Sequence, residues 1–386
     1  MKKIAFLPIK RNSPFGGSES LWTQTALKAQ NSGHNVHVFT YQFPKPHPII
    51  SKLKECGAHI HIRTTRSNHI SKFKRGVFKV RAYLNWRFDS IERSLQPLKK
   101  YHFDLLVISQ GSWYDLSDDQ ELLRAIRKYK LPYVIICHSF QDVGLLHSTR
   151  KLTILSVYKS AKMIYFVANR QREVVEKYLA YKIKNSRVVL NPLNLTSYRV
   201  LPCYSDRPLR MVMISSLVTR WKGHDLLLEA LSCQKWKVRE WQLLIYGQGE
   251  DELQISELIS FYGLQEKVKL LGFCNDPELA LKEAHILIVP SRVEAAPLVI
   301  YEAFLSGRPV LATDVGDIGE VVIDGCNGFL AEAAHPKYIS RALDRMWDYR
   351  YQLDELGKAA FESVRSKFIA SPEETFLSYL LKDAEN

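Results

Sequence analysis

The sequence predicts an α/β protein built from two doubly wound, Rossmann-like domains facing each other across a cleft. Three observations predict it: short β-rich runs alternate with helical patterns, the alternation occurs twice, and a polar, proline-containing stretch separates the two series. A chain of 386 residues with 46% hydrophobic content has enough apolar material for two cores.

The first series of strands reads KIAFLPI, NVHVFTY, AHIHIRT, FDLLVIS, LPYVIIC and KMIYFVA, interleaved with helical patterns such as SESLWTQTALKAQNSG and DDQELLRAIRKY. Strands alternating with helices give βα units and a parallel sheet. NPLNLTSYRVLPCYSDRP, residues 191 to 208, then breaks the rhythm. After it RMVMISS, WQLLIYG, KVKLLGF, AHILIVP and RPVLATD repeat the scheme. The expected organisation is a first Rossmann-like domain over 1–193, a linker over 194–208, a second Rossmann-like domain over 209–365, and a terminal segment over 366–386. That last segment opens on a capping box, Ser371 with Glu374, and carries apolar Phe376, Leu377, Leu380 and Leu381.

Composition excludes several classes. The N-terminal apolar run is about six residues long and is broken by Lys10 and Arg11, which argues against a secretory signal. No uncharged stretch approaches the roughly 18 residues of a membrane span. Cys56, Cys137, Cys203, Cys233, Cys274 and Cys326 form no CxxC pair and read as reduced core thiols of a cytoplasmic protein.

Charge divides the chain. Residues 1 to 200 hold 34 Lys and Arg against 12 Asp and Glu, or +22, whereas residues 201 to 386 hold 20 against 28, or −8. Within the basic half, SKFKRGVFKVRAYLNWRF (71–88) sets Phe73, Val77, Val80 and Leu84 at helical spacing, with Lys72, Arg75, Lys79 and Arg87 on the other sides. It reads as an amphipathic helix packed on its own domain, or as a basic face for an anionic membrane surface at the inner face of the membrane. No nucleic-acid module is recognisable, so nucleic acid is not an expected partner.

The stretch VPSRVEAAPLVIYEA (289–303) carries Glu294 and Glu302 with seven residues between them. A buried strand ends at Ser291, Glu294 falls in the turn beyond it, and Pro297 suits the first position of a helix that carries Glu302 more than a turn in. Such a helix start offers unpaired amides and a positive dipole end to a diphosphate. Ala295 and Ala296 add no bulk. A carboxylate on either side accepts hydrogen bonds from neutral hydroxyls, and a nucleotide sugar has hydroxyls on both sides of its diphosphate. Spacing alone leaves open that Glu294 is a loop charge and Glu302 a solvated helix residue.

The surrounding text resembles the retaining family 4 (group 1) glycosyltransferases of the GT-B fold. The resemblance is carried by WKGHDLLLEAL with Lys222 and Gly223, IYGQGED with Gly247 and Gly249, VKLLGF, and VPSRVEAAPLVIYEAFLSGRPVLATDVGDIGEVVIDGCNGFL with its paired glutamates. It covers most of residues 211 to 332. A fainter resemblance in the first half rests on Gly16 and Gly17, NSGHNVHVFT, the strand-end His138 in VIICHSF, and Asn191-Pro192.

The resemblance implies that Glu302 holds the ribose hydroxyls, Glu294 the hydroxyls of the transferred sugar, and Lys222 the departing diphosphate. Amides of Ala296 and Leu298 would contact phosphate or sugar, Gly16, Gly17 and Gly247 would admit the donor closely, and His138 would touch donor sugar or acceptor. It also implies that the terminal segment crosses back to the first domain. One departure stands out: where the family usually carries an arginine, this chain reads Ser215, Ser216, Leu217, which leaves Arg220 as the nearest replacement cation.

The expected reaction is transfer of a sugar from a nucleoside diphosphate sugar to a hydroxyl of a glycan or lipid-linked acceptor, with retention, in cell-surface polysaccharide synthesis. No Asp-x-Asp pair stands at a strand end, and Asp118-Asp119 reads as a helix start, so no metal or other cofactor is expected. Two alternatives remain open: a nucleotide-sugar epimerase of the same fold, and a degenerate protein that only binds nucleotide sugar.

Overall fold

Strands apolar on both faces must be covered on both faces, and both series of strands form fully parallel sheets with helices packed against them. In a computed structural model, which describes residues 1–9, 17–41, 47–63, 93–139, 146–202, 208–368 and 371–385, the chain divides into two compact units. One comprises Met1–Pro192 with Ser371–Asn386, and the other Leu193–Ala370.

The first unit holds a seven-stranded sheet in the order β3-β2-β1-β4-β5-β6-β7. The strands are β1 (Lys3–Pro8), β2 (Asn35–Tyr41), β3 (His59–Arg63), β4 (Leu105–Gln110), β5 (Tyr133–Cys137), β6 (Met163–Phe166) and β7 (Ser186–Val188). Successive residues of β1 feed opposite cores: Ala5 and Leu7 join one apolar cluster, Ile4 and Phe6 the other. The helix Gln120–Tyr129 starts where expected, because the Asp119 side chain accepts from the Leu122 amide at 3.1 Å. The same carboxylate binds buried Arg63 at 2.8 Å.

The second unit repeats the plan with six strands in the order β10-β9-β8-β11-β12-β13. These are β8 (Leu209–Ile214), β9 (Trp241–Tyr246), β10 (Val268–Leu270), β11 (Ile286–Val289), β12 (Val310–Thr313) and β13 (Gly328–Ala331). Ile286 of β11 lies opposite Met211 of β8. Trp236 and Trp241, both buried, anchor the core beyond β9.

The helix Pro372–Asp383 belongs to the first unit and packs on the helix Gly17–Asn31. Ser371 caps it by accepting from the Glu374 amide at 3.4 Å. Phe376 meets Tyr165 edge-on at 4.9 Å, and the Tyr165 hydroxyl donates to Asp383 at 2.5 Å.

Three features differ from expectation. β7 and β13 were not legible: one is three half-polar residues, the other a four-residue run opening on glycine. Residues from Leu193 onward belong to the second unit, where Arg308, buried, donates to the carbonyls of Leu201 and Pro202 at 2.9 and 2.6 Å. Finally, Cys56, Cys233 and Cys326 are exposed, so of the described cysteines only Cys137 is a fully buried thiol. The basic segment 71–88 and Cys203 lie outside the described residues. Among the described residues no helix is long and apolar enough to cross a membrane.

Truncating Phe376 to alanine should cost the first unit about 3–5 kcal/mol, since a buried aromatic is lost with little chance of collapse. Urea unfolding of Phe376→Ala would check this; an unchanged midpoint would mean that the terminal helix contributes nothing to that core.

Candidate active site

Strand order in the second unit reverses between β8 and β11, so the chain leaves these two neighbours toward opposite edges of the sheet. A parallel sheet opens a crevice at the carboxyl ends of such a pair. β8 is followed by Ser215–Val218, a four-residue helix Thr219–Lys222, and the helix His224–Leu231. β11 is followed by Pro290–Pro297 and the helix Leu298–Leu305.

These two loops are zipped together. Gly223 has φ +69°, and a Cβ there would overlap the Pro290 carbonyl, so only glycine lets them approach this closely. Arg292 donates its backbone amide to the Trp221 carbonyl at 2.8 Å and a side-chain Nη1 to the Thr219 carbonyl at 2.9 Å. Its two Nη groups also hold Asp225 in a fork, at 2.7 and 2.6 Å. Burial lifts the Asp225 carboxyl, but the Arg292 hydrogen bonds and charge outweigh burial and hold it below the ordinary carboxylate range.

The zipped loops bring Lys222 and Glu294 together. Lys222 Nζ lies 2.6 Å from Glu294 Oε1, which also accepts from Ser291 Oγ at 2.7 Å. Ser291 is itself fixed, its carbonyl accepting from Thr313 Oγ1 at 2.5 Å. His224, fully buried beside Lys222 in sequence, shares a 3.3 Å contact with Ser215 Oγ. Burial pushes its pKa down to about 4, so it adds no charge at neutral pH.

Glu302 sits five residues into the helix Leu298–Leu305, and is 3% exposed. Pro297 is the residue before that helix and not its first member, since its ψ of 113° is extended. Glu302 Oε1 accepts from the Asn194 amide at 2.9 Å. Burial raises its pKa, and the Asn194 hydrogen bonds only partly oppose this. Ala296 and Leu298 are half-buried at the helix start, where the first amides lack intrahelical acceptors.

The other expected site residues fall as follows. Gly247 abuts the Ser215 carbonyl so closely that a Cβ would overlap it, which holds the β8 and β9 loops together. Ser216 is exposed in the loop after β8. Arg220 is 70% exposed, stacked at 5.3 Å on Trp221 and 3.4 Å from Glu250. His138 lies in the first unit just past β5, buried, with Nε2 3.1 Å from Ser109 Oγ. Gly16 lies outside the described residues, and Gly17 opens the helix Gly17–Asn31.

Four participants were missed from sequence: Ser291, Arg292, Asp225 and Asn194. The Ser-x-x-Glu spacing of Ser291 and Glu294 was a visible signal, whereas Arg292 and Asp225 are 67 residues apart and only the β8–β11 pairing joins them.

Buried Glu302 makes a stability prediction. Its folded pKa lies above the ordinary 4.5, so ionising it costs the folded state above that raised value, and the cost vanishes as pH falls below about 4.5. Glu302→Gln should therefore melt higher than wild type at pH 7 without ligand, with the gap closing toward pH 4. A variant that melts lower at pH 7 would contradict it.

Comparison with known proteins identifies the family and the fold. The family described as glycosyl transferases group 1 matches residues 205–363, and that described as Glycosyltransferase Family 4 matches residues 15–197. A glycosyltransferase of Methanocaldococcus jannaschii is 25% identical over 260 residues, covering 60% of this chain and 65% of the relative. The poly(ribitol-phosphate) alpha-N-acetylglucosaminyltransferase of Staphylococcus aureus is 23% identical over 243 residues, covering 63% and 48%. The match spans 65%, 56% and 46% of the length of three such curated relatives. In fold, the chain is similar to Anabaena HepE in complex with UDP-glucose, with a TM-score of 0.72, 17% identity, and coverage of 99% of this chain and 100% of that one. Staphylococcus aureus TarM, solved with UDP, gives a TM-score of 0.71 at 15% identity, with both chains fully covered. With its two parallel-sheet units and family matches running from residue 15 to residue 363, the chain belongs to the group 1, family 4 glycosyltransferases of GT-B fold.

Proposed function

We propose that the chain is a retaining glycosyltransferase that moves a hexosyl or related sugar from a nucleoside diphosphate sugar to a hydroxyl of a glycan or lipid-linked acceptor, in cell-surface polysaccharide synthesis. The observation that carries this is the Lys222–Glu294 pair, 2.6 Å apart at the switch point of the second sheet, ahead of a helix start. Structural neighbours solved with UDP, and one with UDP-glucose, support a nucleotide-sugar donor. The Staphylococcus aureus relative, named for poly(ribitol-phosphate), supports a polymeric acceptor.

In the proposed mechanism Lys222 exchanges its carboxylate partner for the diphosphate. Its ammonium then meets the negative charge that grows on the leaving group, together with the amides ahead of and opening the helix Leu298–Leu305, those of Ala296 and Leu298. Glu294, released from Lys222 and still oriented by Ser291, accepts a hydroxyl of the transferred sugar. Glu302 takes the ribose hydroxyls and Gly247 gives the donor close backbone access. His138, Gly16 and Gly17 are further proposed contacts to donor or acceptor. Arg220 and Ser216 complete the donor loop.

No metal is required in this scheme, because a fixed cation and helix amides answer the developing charge. The protein works on the cytoplasmic side, with the basic first half resting against an anionic membrane surface. Vesicle binding that does not weaken as salt rises would contradict that electrostatic attachment.

Lys222→Ala should lower turnover of the nucleotide sugar about 100-fold or more, the scale of losing one stabiliser of a developing anion. EDTA should leave wild-type turnover unchanged, and proton NMR of the product should find the donor's anomeric configuration kept. Activity abolished by the chelator and restored only by a divalent ion would refute metal independence; inverted product would refute retention. Donor consumed without any acceptor, giving an isomeric nucleotide sugar, would favour the epimerase.

A further inference from the structure

We infer that Arg292 is a positioning residue that sets the reach of Lys222 toward the diphosphate, an inference that rests on the nucleotide-sugar reading of this site. Lys222 is carried on a helix of only four residues, too short to hold its own shape. Arg292 holds that helix at two points, the carbonyls of Thr219 and Trp221, and holds the first turn of the following helix through Asp225. It lies between Ser291 and Glu294, the carboxylate that Ser291 orients. One side chain and its own amide thus tie the cation of the site to the carboxylate of the site.

Arg292 is not itself a phosphate ligand. Both its Nη groups are committed to Asp225, Nη1 also to Thr219, and its charge is matched by that carboxylate. A lysine would keep the charge but not the planar fork, so it could not hold Thr219 and Asp225 together. Arg292→Lys therefore separates positioning from charge.

The test is calorimetric titration of UDP, GDP, ADP and dTDP, each beside its monophosphate, into wild type, Arg292→Lys, Lys222→Ala and the double variant. Asp225→Asn, which removes the fork's acceptor at nearly constant shape, serves as a second route to the same lesion. For the nucleotide that binds, Arg292→Lys and Asp225→Asn should weaken the diphosphate about 10-fold or more and the monophosphate less than about 2-fold. The double variant should bind no more weakly than Lys222→Ala alone, since a residue acting through Lys222 has nothing left to lose. Equal losses for diphosphate and monophosphate, a further loss in the double variant, or no loss at all would overturn the inference. A wild type that binds none of the four diphosphates would instead overturn the nucleotide-sugar reading on which it stands.

Discussion

The site depends on the reversal of strand order between β8 and β11. Parallel neighbours whose continuations run to opposite edges of a sheet leave their carboxyl ends uncovered by a common crossover. Into that opening the chain places a four-residue helix from one side and a turn from the other. Neither segment is stable alone, and each is held by the other through Gly223, Trp221 and Arg292. The 2.6 Å contact of Lys222 with Glu294 is the product of that mutual support.

Electrostatics at the opening are sparse and specific. His224 is buried and neutral, Arg292 is matched by Asp225, and Arg220 stands largely in solvent beside Glu250. Lys222 is the cation of this loop pair that meets Glu294. The carboxylates differ too: Glu294 meets Lys222 and Ser291, while Glu302 is buried, raised in pKa and tied to the Asn194 amide. Keeping an ionisable group so deeply desolvated works against folding.

Much of this was legible in the sequence. The βα rhythm marks eleven of the thirteen strands among the described residues, because buried parallel strands are continuous apolar runs. Glu294, Glu302 and Lys222 were readable from local text, and the family resemblance assigned their roles. β7 and β13 escaped because three or four residues with a polar or glycine start carry no periodic signal. Arg292, Asp225 and Asn194 escaped for a different reason: the Arg292–Asp225 and Asn194–Glu302 contacts bridge long sequence separations, and the first forms between loops that follow the paired strands β8 and β11. Polar composition likewise does not reveal the hydrogen bonds that Glu302 and Arg308 make to Asn194 and Leu201.

Glu302 is proposed to hold a nucleoside diphosphate in the β8–β11 opening. Thermal unfolding of wild type and Glu302→Ala against UDP, GDP, ADP, dTDP and their common sugar conjugates tests it most directly. At about 100 times the dissociation constant, a bound nucleotide should add roughly 2.7 kcal/mol to wild-type stability. The account predicts that one base stabilises the wild type and that Glu302→Ala loses the effect. No stabilisation by any of them, or an equal gain in the variant, would contradict it.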